Sequence, residues 1–321
     1  RAKPTVIVGA YGILPAASAR KGIPEQGDLV IAMGGRTGRD GIHGATFSSG
    51  EMTDRTIDVN ASAVQIGHPI EEKRMFDAIL IARDEVLIRA ITDCGAGGFA
   101  SAVGEMGSEI GARIALDLAP LKYPGLSPWE ILLSESQERM VLAVAPEHVE
   151  RFFEICRGYN VEAVILGEFT GDNHFSATYE GREVMNLDMN FLHDGLPQRI
   201  MKACWSRPDF SEPEIETPTD WVDLYKKVMG HLNVCSKEPI VRLYDHGVQG
   251  TNALPPFAGV KGDGPNDAVI LTPILGARLP PRAAIREVYV SSAGDFGATA
   301  ISGLVAGMLR GHGAHVGLLV H

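Results

Sequence analysis

Cysteine is scarce: Cys94, Cys156, Cys204 and Cys235 lie far apart, with no CxxC pair. Zinc sites and disulfide frameworks use closely patterned thiols, so the spacing suggests neither, and a reducing cytoplasm is the expected compartment. Positive charge is also short. Lys and Arg number 29 against 40 Asp and Glu, a net charge of −11, and no basic cluster stands out, which argues against nucleic acid as a partner. Apolar runs fall short of the roughly 18 residues a membrane span needs, so no membrane partner is expected, and the start from Arg1 to Val8 lacks a signal-peptide layout. Both ends read as cut ends. What is present is an ordinary globular mixture, 45% hydrophobic and 21% charged over 321 residues, with 37 Gly and 19 Pro promising many tight turns. Disorder, collagen and coiled coil are excluded, and the length suits about two average domains.

Pro4 to Ile13 and Gly27 to Met33 are β-branched and apolar, as buried strands are. Ile70 to Ile91 carries apolar residues at helical spacing and predicts one or two amphipathic helices. Ile91 to Cys94 reads as a strand end, Phe99 to Met106 as a small-residue helix, and Ile114 to Leu118 and Val141 to Val144 as strands. Pro146 opens a helix to about Arg157, since proline is preorganised for a first helical turn. Val161 to Phe169, His174 to Tyr179 and Glu183 to Leu187 add three strands, the last two a hairpin at Gly181. This irregular alternation predicts an α/β fold of the mixed, α+β kind. The acidic, proline-bearing stretch Pro208 to Pro218 reads as a linker, followed by a helix from about Asp220 to Leu232, and beyond Pro255 the chain is loop-rich.

Several stretches could carry chemistry. Gly34 to Ala45 leaves a strand with repeated backbone N–H groups and two guanidinium groups, so Gly35, Arg36, Thr37, Gly38 and Arg39 form a candidate phosphate nest. The alternative is a glycine-rich turn whose arginines pair with the protein's own carboxylates. Asp93, ahead of Cys94-Gly95-Ala96-Gly97-Gly98, is either a magnesium ligand or a helix N-cap. Gln65 sits between apolar neighbours and suits a substrate amide or a satisfied turn. Glu135-Ser136-Gln137 is a polar cluster between apolar runs and must be hydrogen-bonded to a ligand or to another loop. His43 and His68 are possible general bases, imidazole being the side chain suited to that work at neutral pH, but neither has an identifiable partner, which favours structural roles. Ser48 and Ser49 lack a nucleophile elbow. Tyr244-Asp245-His246 with Gln249, and Gly262 to Asp267, form further polar clusters.

Taken together, GDLVIAMGGRTGRDGIHGATFSSGE (27–51), VQIGHPIEEKRMFDAI (64–79), ITDCGAGGFASAVGEMG (91–107), PWEILLSESQERM (128–140), CSKEPIVRLYDHGVQG (235–250) and GDGPNDAVIL (262–271) resemble the synthetase part of the phosphoribosylformylglycinamidine synthase family. The resemblance runs in order over roughly residues 5 to 275. It implies aminoimidazole ribonucleotide synthetase-like domains: the end of a first N-terminal domain at 1–25, a C-terminal domain at 26–205, a linker and helix at 206–234, and the start of a second N-terminal domain with a divergent tail at 235–321. It also implies ATP-dependent conversion of formylglycinamide ribonucleotide (FGAR) to the amidine with ammonia derived from glutamine, using ATP and Mg2+. A glutaminase subunit or domain is the implied partner, and faces left apolar by a missing domain would give self-association. Carried over by position, Gln65, Glu135, Ser136 and Gln137 match substrate contacts and Asp93 matches a magnesium ligand.

The family's histidine-bearing segment would lie upstream of Arg1 and its last domain beyond His321, so the chain alone is expected to be an incomplete, inactive part. The rivals are another ATP-dependent synthetase of the superfamily and a non-catalytic nucleotide-binding half that docks a glutaminase.

Overall fold

Strand β1 (Leu29–Gly34) has no polar face, and it lies mid-sheet with helices on both sides. Val30 and Ala32 pack into one apolar layer with Phe99, Ala102 and Val103, while Ile31 and Met33 point the other way onto Met75, Ala78 and Phe152. An uninterrupted apolar run is what such a doubly covered strand requires. Around it lie β2 (Ala90–Asp93), β3 (Ala112–Ala115), β4 (Arg139–Val144), β5 (Ala163–Glu168), β6 (His174–Tyr179) and β7 (Arg182–Asp188). The sheet order is β2-β4-β1-β5-β3-β6-β7. Every pairing is antiparallel except β3 with β6, which gives the mixed sheet expected from the sequence.

These observations come from a computed structural model that describes residues 21–42, 66–207, 209, 214, 217–243, 247, 250–266 and 270–271. The described residues divide into two compact units between Ala203 and Cys204. In the first, α1 (Pro69–Asp84) and α4 (Val149–Gly158) cover one face of the sheet, and α2 (Gly98–Met106) and α3 (Pro128–Leu133) the other. A short α5 (Met189–Asp194) follows β7, its Met189 fully buried.

The predicted helical stretch 70–91 is one helix, α1, which stops at Asp84 because Val86 takes a left-handed φ of 57°. Only the first part of the strand read at Ile114 to Leu118 is a strand, since Leu116–Leu118 turns as a 3₁₀ helix. Helix α3, where the sequence showed only apolar runs flanking a polar cluster, begins at Pro128, and the Glu130 carboxylate accepts a hydrogen bond from the Ser127 N–H at 2.8 Å. Glu180 and Gly181, both at positive φ, make the predicted tight turn between β6 and β7.

In the second unit, Asp220 caps α6 (Trp221–Gly230) by accepting from the N–H groups of Val222 and Asp223. After α7 (Glu238–Val241), β8 (Asn252–Leu254) pairs with β11 (Ile270–Leu271) and β9 (Phe257–Ala258) with β10 (Gly264–Pro265), so the stretch read as loop-rich carries two short ladders. The strand read at Pro4 to Ile13, the Tyr244 to His246 cluster with Gln249, and the tail beyond 271 lie outside the described residues. Among the described residues no helix is long and apolar enough to cross a membrane.

Candidate functional site

Strands β2, β4 and β1 are neighbours, and their registers set Asp93 opposite Met140 and Gly34 opposite Arg139. The loop leaving β1, the turn leaving β2 and the segment entering β4 therefore meet beyond the same end of these three strands. These stretches carry most of the residues singled out in the sequence.

The loop begins at Gly34, where φ is +101° and a Cβ would stand 2.2 Å from the Glu138 carbonyl oxygen, so only glycine fits. Its amides are engaged within the protein: Gly35 N–H donates to Glu138 O at 2.7 Å, Thr37 N–H to Pro120 O at 2.8 Å, Gly38 N–H to Ser136 Oγ at 2.9 Å and Arg39 N–H to Tyr123 Oη at 2.9 Å. Arg36 pairs with Glu162 at 2.7 Å and Arg39 with Glu130 at 2.6 Å. Hydrogen bonds from Arg39 and from the Ser127 N–H hold the Glu130 carboxyl down at about 2. Phosphate contact by residues 35 to 39 would have to exchange these bonds for new ones.

Asp93 is exposed at the end of β2, while Cys94 is buried and its thiol pushed up to about 11 by desolvation. Of the two roles left open for Asp93, the N-cap falls to another residue: α2 is capped by Gly97 at φ 86°, with no side-chain bond. The carboxylate is left facing Gly95, whose lack of a Cβ keeps space beside it, since a Cβ there would sit 3.1 Å from Asp93 Oδ2.

Between these two lies Ser134 to Arg139, in which Ser134, Glu135, Ser136 and Arg139 are all buried. Glu135 N–H donates to Asp40 O at 2.8 Å, and Glu135 Oε1 accepts from Gly97 N–H at 3.4 Å, near the positive end of α2. Gln137 Nε2 donates to Glu135 O at 3.2 Å. The Ser136 hydroxyl donates to Asp40 and accepts from Gly38 N–H, with the Ser134 hydroxyl 3.1 Å away, which fills a hydroxyl's one donor and two acceptor positions. A substrate contact from that oxygen would replace one of them. Burial opposes ionisation of Asp40, but hydrogen bonds from Lys122, at 2.6 Å, and Ser136 prevail and lower its pKa. Sequence reasoning missed Asp40, Lys122 and Arg139; the available signal was a charged residue, Arg139, opening an apolar run.

Gln65, His43, Ser48 and Ser49 lie outside the described residues. Gly67, two residues after Gln65, is described, and a Cβ on it would stand 3.3 Å from Glu138 Oε1, so the chain entering α1 passes beside the β4 segment. His68 caps α1, its Nδ1 accepting from Glu71 N–H at 3.2 Å, which is the structural role expected for it. Among the described residues no three His, Cys, Asp or Glu side chains group so as to hold a metal, which leaves Asp93 as a single exposed carboxylate.

Residues 25–180, the span that holds the whole sheet apart from the last strand, match the model of the AIR synthase related protein, C-terminal domain. A curated relative, phosphoribosylformylglycinamidine synthase subunit PurL of Methanothermobacter thermautotrophicus, is 37% identical over 250 residues, 77% of this chain and 35% of that protein. The chain belongs to the phosphoribosylformylglycinamidine synthase family. It spans about a third of the length of the curated PurL relatives it matches. Among solved structures, Thermotoga maritima PurL complexed with FGAR is 32% identical with a TM-score of 0.52 over 60% of this chain and 32% of that one. The same protein complexed with AMPPCP is 27% identical with a TM-score of 0.53 over 78% and 36%.

Proposed function

We propose that this PurL-family chain supplies part of the site of an ATP-dependent carbon–nitrogen ligase that converts FGAR to formylglycinamidine ribonucleotide with ammonia derived from glutamine, in purine biosynthesis. The observation that carries the reading is the convergence of Asp93, Glu135, Gln137 and the Gly34–Asp40 loop at one end of β1, β2 and β4. The FGAR and AMPPCP complexes of the Thermotoga relative support the choice of substrate and of ATP.

In this reading Glu135 and Gln137, with Gln65, orient the amide of FGAR, and Ser136 holds the two residues beside it against the β1 loop. Phosphorylating the amide oxygen and displacing phosphate with ammonia both concentrate negative charge on phosphoryl oxygens. Magnesium, when bound, neutralises that charge, and a lone exposed carboxylate at a strand end fits a metal that takes few protein ligands and fills its shell with water and phosphate oxygens. Asp93 is the residue assigned to it. Gly35 to Arg39 remain the proposed phosphate contacts, on condition that Arg36 and Arg39 leave their carboxylate partners.

The division into 1–25, 26–205, 206–234 and 235–321, a glutaminase partner, self-association through apolar faces and a cytoplasmic location belong to the same proposal. The test is phosphate release by the chain with ATP, magnesium, ammonium and FGAR, with and without the rest of a PurL synthetase in trans. FGAR-dependent release that appears on complementation and is lost in Asp93→Asn supports the reading. Release indifferent to FGAR, or to Asp93→Asn, overturns it.

A further inference from the structure

Arg139 is a buried cation with no carboxylate within ion-pair distance among the described residues. Only 4% of it is exposed, and its nitrogens go to neutral oxygens: Nε donates to Ser136 O at 3.0 Å, Nη1 to Thr37 Oγ1 at 2.9 Å and Nη2 to Ser134 O. The guanidinium lies over the Phe99 ring, 4.6 Å from its centroid, and burial lowers its pKa. An apolar side chain would fill such a place at less cost in desolvation, so stability alone does not account for a charge there. What the guanidinium adds is a planar fork of donors at fixed angles. The carbonyls it grips, Ser134 O and Ser136 O, flank Glu135, and its third partner, Thr37, belongs to the loop from β1.

We propose that Arg139 is a positioning residue that couples the two sides of the site, so that the Gly34–Asp40 loop and the Glu135-bearing segment hold or lose their geometry together. The proposal deepens the ligase reading by naming what fixes Glu135 and Gln137 in place, and it rests on that reading only for the identity of the ligand.

The test compares Arg139→Met, Arg139→Lys and the milder Thr37→Val, which removes one of the three ties and keeps the chain foldable if the arginine variants fail. Hydrogen exchange is read at Gly38 N–H and Glu135 N–H, with Ala177 and Met185 in the far strands as references. Coupling predicts that exchange at both site amides rises together by about tenfold or more in Arg139→Met, which removes three buried hydrogen bonds, while the references stay protected. Lysine, lacking the fork, does not rescue it, and Thr37→Val loosens Glu135 although it sits on the other side. A rise on one side only, a uniform rise across the sheet, or rescue by lysine overturns the proposal. FGAR titration of the same proteins separates the two claims. Coupled loosening in a chain whose wild type does not bind FGAR sinks the ligand assignment alone, whereas FGAR binding unaffected by Arg139→Met sinks the positioning role alone.

Discussion

The two halves of the sheet solve different problems. In β1 and β4 nearly every residue is buried, because helices cover both faces, whereas β7 has no buried residue and β6 alternates. The candidate site sits where β1 and β2 end and β4 begins, on the half held from both sides, and rigid elements place functional groups more closely than loops alone can. The difference is that between a half built for position and a half built for coverage.

The sharpest way to break that comparison is a pair of truncations. Phe152→Ala empties a fully buried ring site under the doubly covered half and is expected to cost about 3–5 kcal/mol in chemical denaturation. Val184→Ala on β7, whose residue is already 45% exposed, should stay within about 0.5 kcal/mol. Equal losses would erase the distinction.

A pair of glycines sharpens it. Both Gly98 and Gly181 have positive φ, but a Cβ on Gly98 would stand 2.0 Å from Ser134 O while one on Gly181 meets nothing within 4 Å. Gly98→Ala is expected to cost about 2–3 kcal/mol, backbone strain plus displacement of the Ser134 segment, and Gly181→Ala about 1 kcal/mol from strain alone. Thermal melts of the two variants check the order.

The smallest expected effect depends on pH. The Glu130 carboxyl lies at about 2 against an ordinary 4.5, so its pairing with Arg39 stabilises the fold fully above pH 4.5 and is lost as pH falls toward 2. Melting temperature followed from pH 6 to pH 2 should fall less steeply in Glu130→Gln than in wild type, with the two curves converging at the acid end. Parallel curves would show that the pair contributes nothing.

Legibility in the sequence follows the same division. The doubly covered strands announced themselves as apolar runs, LVIAM for β1 and VLAV for most of β4, because nearly every residue there is buried. Helix α3 was missed because its six residues are too few to show a period, and its signal was the Ser127-Pro128 start with Glu130 three residues on. Short motifs brought Asp93 and Glu135 to Gln137 into view, since glycine-flanked and polar-in-apolar residues stand out from their surroundings. The bonds of Arg139 to Thr37 and of Asp40 to Lys122 and Ser136 did not show. They join residues 82 to 102 positions apart, and only the strand register brings these together.

The central claim is that the site at the shared end of β1, β2 and β4 binds FGAR through the Glu135 segment. Calorimetric titration of FGAR into the chain tests it most directly, with Glu135→Gln as the site variant and Arg113→Ala, exposed on β3, as the control from the other half. The account predicts binding by wild type, unchanged affinity in the control and a loss of about tenfold or more in Glu135→Gln, as for a hydrogen bond to a charged group. Wild-type affinity in Glu135→Gln, or no binding by the folded wild-type chain, would contradict it.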